Sequence, residues 1–335
     1  MELTPAVRQW LLHEADPSIV YRYLTEVMER RADDLEVRNA QERIAREGWA
    51  HRILSEQLPS GAWASPSADS RGLYVPKYIA TNWRLLVLSD MGLTRDRPEI
   101  DRAVQLVLAA HDRPDGDLGG SGSEVCFTGN AVRYLLRLGY DEDAAVRRSI
   151  DWLVATQKPD GGWHCWESEV GTLDCWEALA AFAALPPSRR TAAIEAAIGR
   201  GAEFYLDRGL LREGADPYPP WSRLHYPNHY YYDVLVGLDV LTRLGYGRDP
   251  RLGPALDLLE GKRDGQGRWS LESIHPDLGP DAEYDVRTPF YPFVLERPGR
   301  PSRWITTTAL AVLRRSGRLE VPASTEGATA PPSST

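Results

Sequence analysis

Three cysteines occur in a chain of 335 residues, at Cys126, Cys165 and Cys175. Cys126 and Cys175 open apolar helical stretches, in "SGSEVCFTGNAVRYLL" and "LDCWEALAAFAALP", and Cys165 lies in the turn that leads to Cys175. Thiolates are nucleophiles and soft metal ligands, and the positive end of a helix lowers thiol pKa. Asp174 precedes Cys175, and His225 and His229 follow in "LHYPNHYYYDVL". Thiols with one imidazole or carboxylate form a donor set that zinc prefers, and three protein ligands with an open fourth position make a catalytic zinc. The metal candidates are thus Cys126, Cys165, Cys175, His229 and His225. No C-x-x-C pair occurs, so the cluster depends on the fold, and a buried cysteine is equally a small hydrophobe.

Acid and base candidates lie in the same stretches. Asp174, with Glu177 three residues on, reads as a helix N-cap and its capping-box partner, which makes Cys175 the first helical residue. Asn228 reads as the cap of the next helix, opened by His229, and Ser121 or Ser123 as the cap before Cys126. Asp233, four residues after His229, then shares its helix face and orients the imidazole or acts as a general acid. Tyr231 is a further hydroxyl donor and Glu124 a weaker acid candidate. Eleven Trp and fifteen Tyr accompany only five Phe, a bias that suits a cavity wall or repeated turn anchors as well as a core. Trp83, Trp166, Trp176, Tyr230 and Trp304, at or near helix starts, are the wall candidates, where ring faces hold an apolar ligand or a cation.

Composition narrows the partners. A formal charge of −9 and no basic stripe exclude electrostatic nucleic-acid binding. No window holds about eighteen apolar residues, so no membrane span is expected, and the N-terminus lacks a targeting pattern. Few cysteines, odd in number, imply thiols in a reducing, cytoplasmic setting.

The elements that must position these residues repeat. "PSGAW" (59–63), "RPDGDLGG" (113–120), "KPDGGW" (158–163) and "RDGQGRW" (263–269) each join two apolar helical stretches, with a degenerate turn near "REGADPYPPW" (212–221). Their turn glycines, Gly61, Gly116, Gly161 and Gly265, are 55, 45 and 104 residues apart, a step of roughly fifty with one turn degenerate. Helices apolar around most of their circumference, such as "TNWRLLVLSDMGL" and "WITTTALAVLRRSG", alternate with helices charged on one face, such as "DAAVRRSIDWLVATQ". The first kind is buried on most sides and the second has a solvent face. Strand signals are nearly absent, so an all-α chain of inner and outer helices is predicted. Trp63, Trp163 and Trp269 belong to the turns and pin adjacent helices. Residues 1–44 read as an N-terminal helical extension, 45–318 as the repeat domain and 319–335 as a disordered tail.

The repeated Q-x-P-D-G-G-W turn between inner and outer helices resembles the repeat of the terpenoid cyclase and protein prenyltransferase superfamily, over roughly residues 45–317. The resemblance implies an α/α toroid of one barrel and an enzyme that acts on an isoprenoid or other apolar small molecule, with zinc as its expected cofactor. The cyclases' D-x-D-D acid motif is missing, and "LDCW" sets Asp174 and Cys175 adjacent where the prenyltransferases space Asp and Cys by two. Two other readings stand beside it. One is a thiol- or metal-dependent cyclase, lyase or hydrolase of a different substrate, and the other is a non-catalytic toroid that binds a lipid or a protein partner.

Overall fold

The structure, a computed structural model, describes residues 1–64, 70–119, 124–165, 168–213, 216–273 and 295–321. Among these, fourteen α-helices follow in order: α1 (Pro5–Leu12), α2 (Pro17–Arg22), α3 (Leu35–Ile44), α4 (Gly48–Ser55), α5 (Ser70–Tyr74), α6 (Thr81–Asp90), α7 (Pro98–His111), α8 (Val125–Arg137), α9 (Ala144–Ala155), α10 (Glu177–Ala184), α11 (Ala192–Asp207), α12 (Val234–Arg243), α13 (Gly253–Gly261) and α14 (Arg303–Arg315). Apart from isolated bridges, the β structure among the described residues is two ladders of two-residue strands, Arg212–Glu213 with Asp216–Pro217 and Ser270–Leu271 with Arg300–Pro301. The chain is all-α, as its periodicity predicts.

Burial separates the two helix kinds. Every residue from Thr81 to Ser89 of α6 and from Trp304 to Leu313 of α14 is buried. In α9 the buried residues are Ala145, Val146, Ser149, Ile150 and Leu153, a single stripe three to four residues apart. Inner helices α6, α8, α10, α12 and α14 pack each on the next, and α7, α9, α11 and α13 pack outside α6, α8, α10 and α12. Between α14 and α6 the ring is completed by α2 and its continuation, a π-helical turn at Tyr23–Val27. Both pack on α14, and the Tyr21 ring covers Gly92 at the end of α6. The segment set apart in the sequence as an extension thus supplies part of the inner wall of the α/α toroid.

The turns repeat in their bonds as well as their letters. The indole N–H of Trp63, Trp163 and Trp269 donates to the carbonyl ten residues earlier, on Ile53 (2.7 Å), Leu153 (2.8 Å) and Leu259 (2.6 Å). Gln57 donates to the Gly61 carbonyl and, on the neighbouring outer helix, to Glu99; Gln157 does the same with Gly161 and Ala197. Left-handed φ falls at Gly61 (91°), Gly116 (89°), Gly161 (93°) and Gly267 (85°). The last turn therefore bends at Gly267 and not at Gly265. At Gly161 only glycine fits, since a Cβ would lie 2.4 Å from the Arg200 carbonyl oxygen. The degenerate step after α11 lacks the indole-to-carbonyl bond, because Trp221 turns to Asp174 instead.

Candidate functional site

Helix α8 lays out the lumen. Cys126, Asn130, Arg133 and Arg137 fall at successive intervals of four, three and four residues, one face of the helix. Residues of this face line cavities at both ends of the barrel. At the thiol end is a cavity of about 500 Å³, whose walls include Tyr74, Cys126, Trp221, Tyr230, Tyr231 and Tyr232.

The three cysteines do converge there. The Cys126 N–H donates to Cys165 Sγ at 3.1 Å, and the sulfurs of Cys165 and Cys175 are 3.4 Å apart. Their acidity runs against the expectation from helix N-termini. Cys126 is pushed well up by donating to Cys165 and then by burial. For Cys165 the bond from Cys126 acts downward, but the bond to Cys175 and burial outweigh it. Cys175 is raised as well: its bond with Cys165 acts downward, but burial together with the neighbouring Glu177 and Cys126 outweighs it. A thiol among thiols gains a neutral partner and no cation, so the thiolate is disfavoured.

The histidines expected to complete a zinc site are held elsewhere. His225 Nδ1 bonds Asp233 Oδ2 at 2.5 Å, and its backbone N–H donates to the same oxygen at 2.9 Å. His229, with φ of 43°, packs between the rings of Tyr78 (4.9 Å) and Trp83 (5.4 Å). Neither lines the cavity that the thiols line. Among the described residues no group of three or more His, Cys, Asp or Glu is arranged to hold a metal ion. The expected set of three thiols and a histidine therefore does not fit zinc here.

The caps also differ from expectation. Helix α10 opens at Glu177, with Trp176 in the N-cap place and no side-chain cap bond. The Asp174 carboxylate instead accepts the Trp221 indole N–H at 3.0 Å at the cavity wall. Glu177 caps nothing. It is fully buried, neither carboxyl oxygen has a hydrogen-bond partner among the described residues, and burial pushes it well above the usual carboxylate range. Helix α12 opens at Val234 under Asp233, whose Oδ1 accepts from the Val236 N–H at 2.9 Å. Asp233 is thus the cap and the partner of His225, not of His229, and Asn228 donates to the His225 carbonyl at 3.2 Å. Trp166, Ser121 and Ser123 lie outside the described residues.

Tyr231 stands in a cluster of phenols that adds Tyr78, a residue without any motif in the sequence. Its hydroxyl is 2.6 Å from that of Tyr78, both lie 3.1 Å from Tyr230 Oη, and the Lys77 ammonium donates to Tyr230 at 3.0 Å. Burial, then the neighbouring Tyr230, pushes Tyr231 and Tyr78 well up, so both stay neutral hydroxyls. Glu124 lines the same cavity and makes no cap bond to α8. Trp83 closes a small apolar recess beside it with Tyr74 and Tyr230.

The other two aromatic candidates face the far end. Trp304 stacks on Tyr226 at 3.9 Å with Arg22 4.2 Å above it, and Trp176 lies under the Arg133 guanidinium at 4.8 Å. Arg22, Arg133, Arg137 and Arg243 line this end, and no motif points to them. Arginine on an amphipathic helix reads as solvent face. Only the 126–130–133–137 spacing places Arg133 and Arg137 on the same helix face as Cys126, further along α8.

No family model matches the chain, and no curated protein sequence matches it. Among solved structures it is similar to the type II terpene cyclase MstE from Scytonema in the apo form, at 18% identity and a TM-score of 0.44, over 90% of this chain and 87% of that one. It is also similar to a protein from Actinoplanes, at 19% identity and a TM-score of 0.45, over 93% of this chain and 98% of the other. At these values no residue role transfers to this chain. No helix among the described residues is long and apolar enough to cross a membrane.

Proposed function

We propose that the protein is an enzyme that binds an apolar small molecule of the isoprenoid class in the tyrosine-lined cavity and cyclises or transfers it. The observation that carries this reading is the cavity of about 500 Å³ at the thiol end of the toroid, walled by Tyr74, Tyr218, Trp221, Tyr230, Tyr231 and Tyr232. That volume matches a small-molecule site. Ring faces accept an apolar chain and stabilise a developing carbocation without offering it a strong nucleophile. The likeness of the repeated turn to the terpenoid cyclase and prenyltransferase repeat supports the same substrate class.

Tyr231 is the proton-bearing group assigned to the chemistry, oriented by Tyr78 and Tyr230, with Lys77 polarising the cluster from its outer side. Among the described residues, Asp174 and Glu124 are the carboxylates that line the cavity. No step is routed through zinc. The test is incubation of the protein with polyprenyl alcohols, polyprenyl diphosphates and prenylated phenols, with mass spectrometry of the extracted products. A new cyclised or transferred product is expected, and Tyr231→Phe is expected to lower kcat by about a hundredfold or more. Saturable quenching of tryptophan fluorescence without any product would instead favour the non-catalytic lipid-binding reading, which the neutral thiols and phenols of the wall also suit.

A further inference from the structure

We infer that the arginine end of the lumen is an oxyanion site, in which Arg133 receives a phosphate- or carboxylate-type group. The site lies at the opposite end of α8 from the thiols and stands whether or not the substrate is an isoprenoid.

Five guanidiniums, of Arg22, Arg133, Arg137, Arg243 and Arg315, gather around three carboxylates. Glu26 pairs with Arg22 (3.0 Å) and Arg243, Asp239 with Arg243 (2.9 Å) and Arg315 (2.5 Å), and Asp90 with Arg137. All three carboxylates are engaged, which leaves a surplus of two positive charges. Among the described residues no carboxylate pairs with Arg133. The nearby Glu177 makes no ion pair with it among the described residues, and burial pushes that carboxyl well above the usual carboxylate range, which disfavours its charged form. Burial draws Arg133 down only to about 10, so it is a cation at neutral pH.

The hydrogen bonds of Arg133 are incomplete as well. Arg133 is 4% exposed, and among the described residues neither its Nε nor its Nη2 has a partner. Those two N–H groups form one edge of the guanidinium, the fork that matches two oxygens of a carboxylate or phosphate. Trp176 covers the face of the group and leaves this edge open. Arg22 Nη1, Tyr226 Oη and Trp176 Nε1 are also buried and unpartnered. Orphaned buried donors are rare and costly in native proteins, and here they line two cavities that both include Arg133. One, of about 230 Å³, takes in Arg22 and Tyr226; the other, of about 40 Å³, takes in Trp176 and His225. The larger has room for several waters at ~30 Å³ each, hence for an oxyanion with part of its hydration. Its rim reaches Tyr21, Gly92 and Thr94, which are partly exposed, so an ion has a way in. His225 Nε2, buried and unpartnered, faces the smaller cavity. It is an acceptor in the neutral ring, so it can bond a protonated oxygen of the ligand.

The experiment is calorimetric titration and thermal melting of the full chain with inorganic phosphate, inorganic diphosphate, acetate and dodecyl phosphate below its micelle concentration, with chloride and dodecanol as controls. Arg133→Gln, Arg133→Lys and Tyr226→Phe are compared with wild type. Saturable binding of an inorganic anion, weakened about tenfold to a hundredfold in Arg133→Gln and less in Tyr226→Phe, is the expected result and identifies a free ion. Binding of dodecyl phosphate alone, with the same dependence on Arg133, supports the site and makes the anion the head of a longer ligand. Should Arg133→Gln fail to fold, Arg133→Lys keeps the charge, removes the fork and is expected to weaken binding by itself. No saturable anion binding by wild type, or binding that the Arg133 variants leave unchanged, overturns the inference and leaves the orphaned donors to water alone.

Discussion

At the scale of single residues, the site turns on groups whose surroundings move their protonation. Cys126, Cys165 and Cys175 are raised together, so the thiolate fraction at neutral pH is smaller than for a free cysteine. Ellman's reagent should therefore react with the native protein more slowly than with free cysteine at pH 7–8, and unfolding should restore the ordinary rate. Elemental analysis should find the purified protein well short of one zinc per chain; a stoichiometric ion lost in Cys165→Ser would show that the thiols recruit ligands not gathered in this structure. Glu177 gives a signed prediction for stability. Its folded pKa lies above its unfolded value of roughly 4.3, so the folded state binds more protons and stability falls as pH rises from the unfolded pKa to the folded one. The slope is at most about 1.4 kcal/mol per pH unit. Glu177→Gln should remove that slope and be more stable than wild type at pH 7 in denaturant titrations; an unchanged pH profile would show that the carboxyl finds a charged partner. Convergence of the thiols was legible in the sequence, because repeat equivalence fixes which helix starts share an end of the barrel. The roles of Asp174, Asp233 and the histidines were not, because a cap displaced by a few residues along the loop changes which side chain meets which. Asp233 reads as a residue within a helix and is the residue that begins one.

At the scale of elements, α8 packs tightly on α10, and Gly129 allows the approach. A Cβ there would stand 2.6 Å from the Glu177 carbonyl carbon and 2.8 Å from the Ala178 nitrogen, backbone atoms that cannot swing aside. Alanine is the better helix former by about 1 kcal/mol, yet the overpacking should outweigh this and destabilise Gly129→Ala by about 1–3 kcal/mol. A higher denaturation midpoint for the variant would mean that the two helices do not approach this closely. Trp176 beside Arg133 and Cys165 beside Cys126 are contacts across the same pair of segments, so Gly129→Ala should also weaken ligand binding in the lumen. Inner and outer helices and their connecting turns were readable from apolar periodicity, because a helix buried on most sides leaves few positions for charge. The turn glycine at 267 was misplaced by two residues because "RDGQGRW" offers two glycines, and only the backbone dihedral distinguishes them.

At the scale of the whole molecule, the question is what closes the ring. Five inner helices carry the repeat signature, and the gap between the last and the first is filled by α2 and the π-helical turn, which the sequence sets apart as an extension. No Q-x-P-D-G-G-W turn precedes them, and "VMERRADD" ends the segment in charge, so neither periodicity nor punctuation marks them as inner wall. Their contacts do. Arg22 donates to Thr308 of α14 at 3.1 Å, Arg314 donates to Glu29 at 2.8 Å, and Arg303 reaches the Trp10 carbonyl at 3.0 Å. Ile19, Tyr23 and Val27 are at most 1% exposed. At about 1.5–3 kcal/mol for each buried side chain, these three alone rival the ~5–15 kcal/mol that separates a folded domain from its unfolded chain. A chain lacking residues 1–33 should therefore lose its cooperative thermal transition and expose apolar surface to a hydrophobic dye, while full-length protein melts in one step. Because Arg22 and Glu26 also line the arginine end, any truncated protein that still folds should bind oxyanions more weakly than the full chain. A truncated protein that melts cooperatively within a few degrees of wild type, with anion binding intact, would return residues 1–33 to the status of an appendage and require the ring to close by direct packing of α14 on α6.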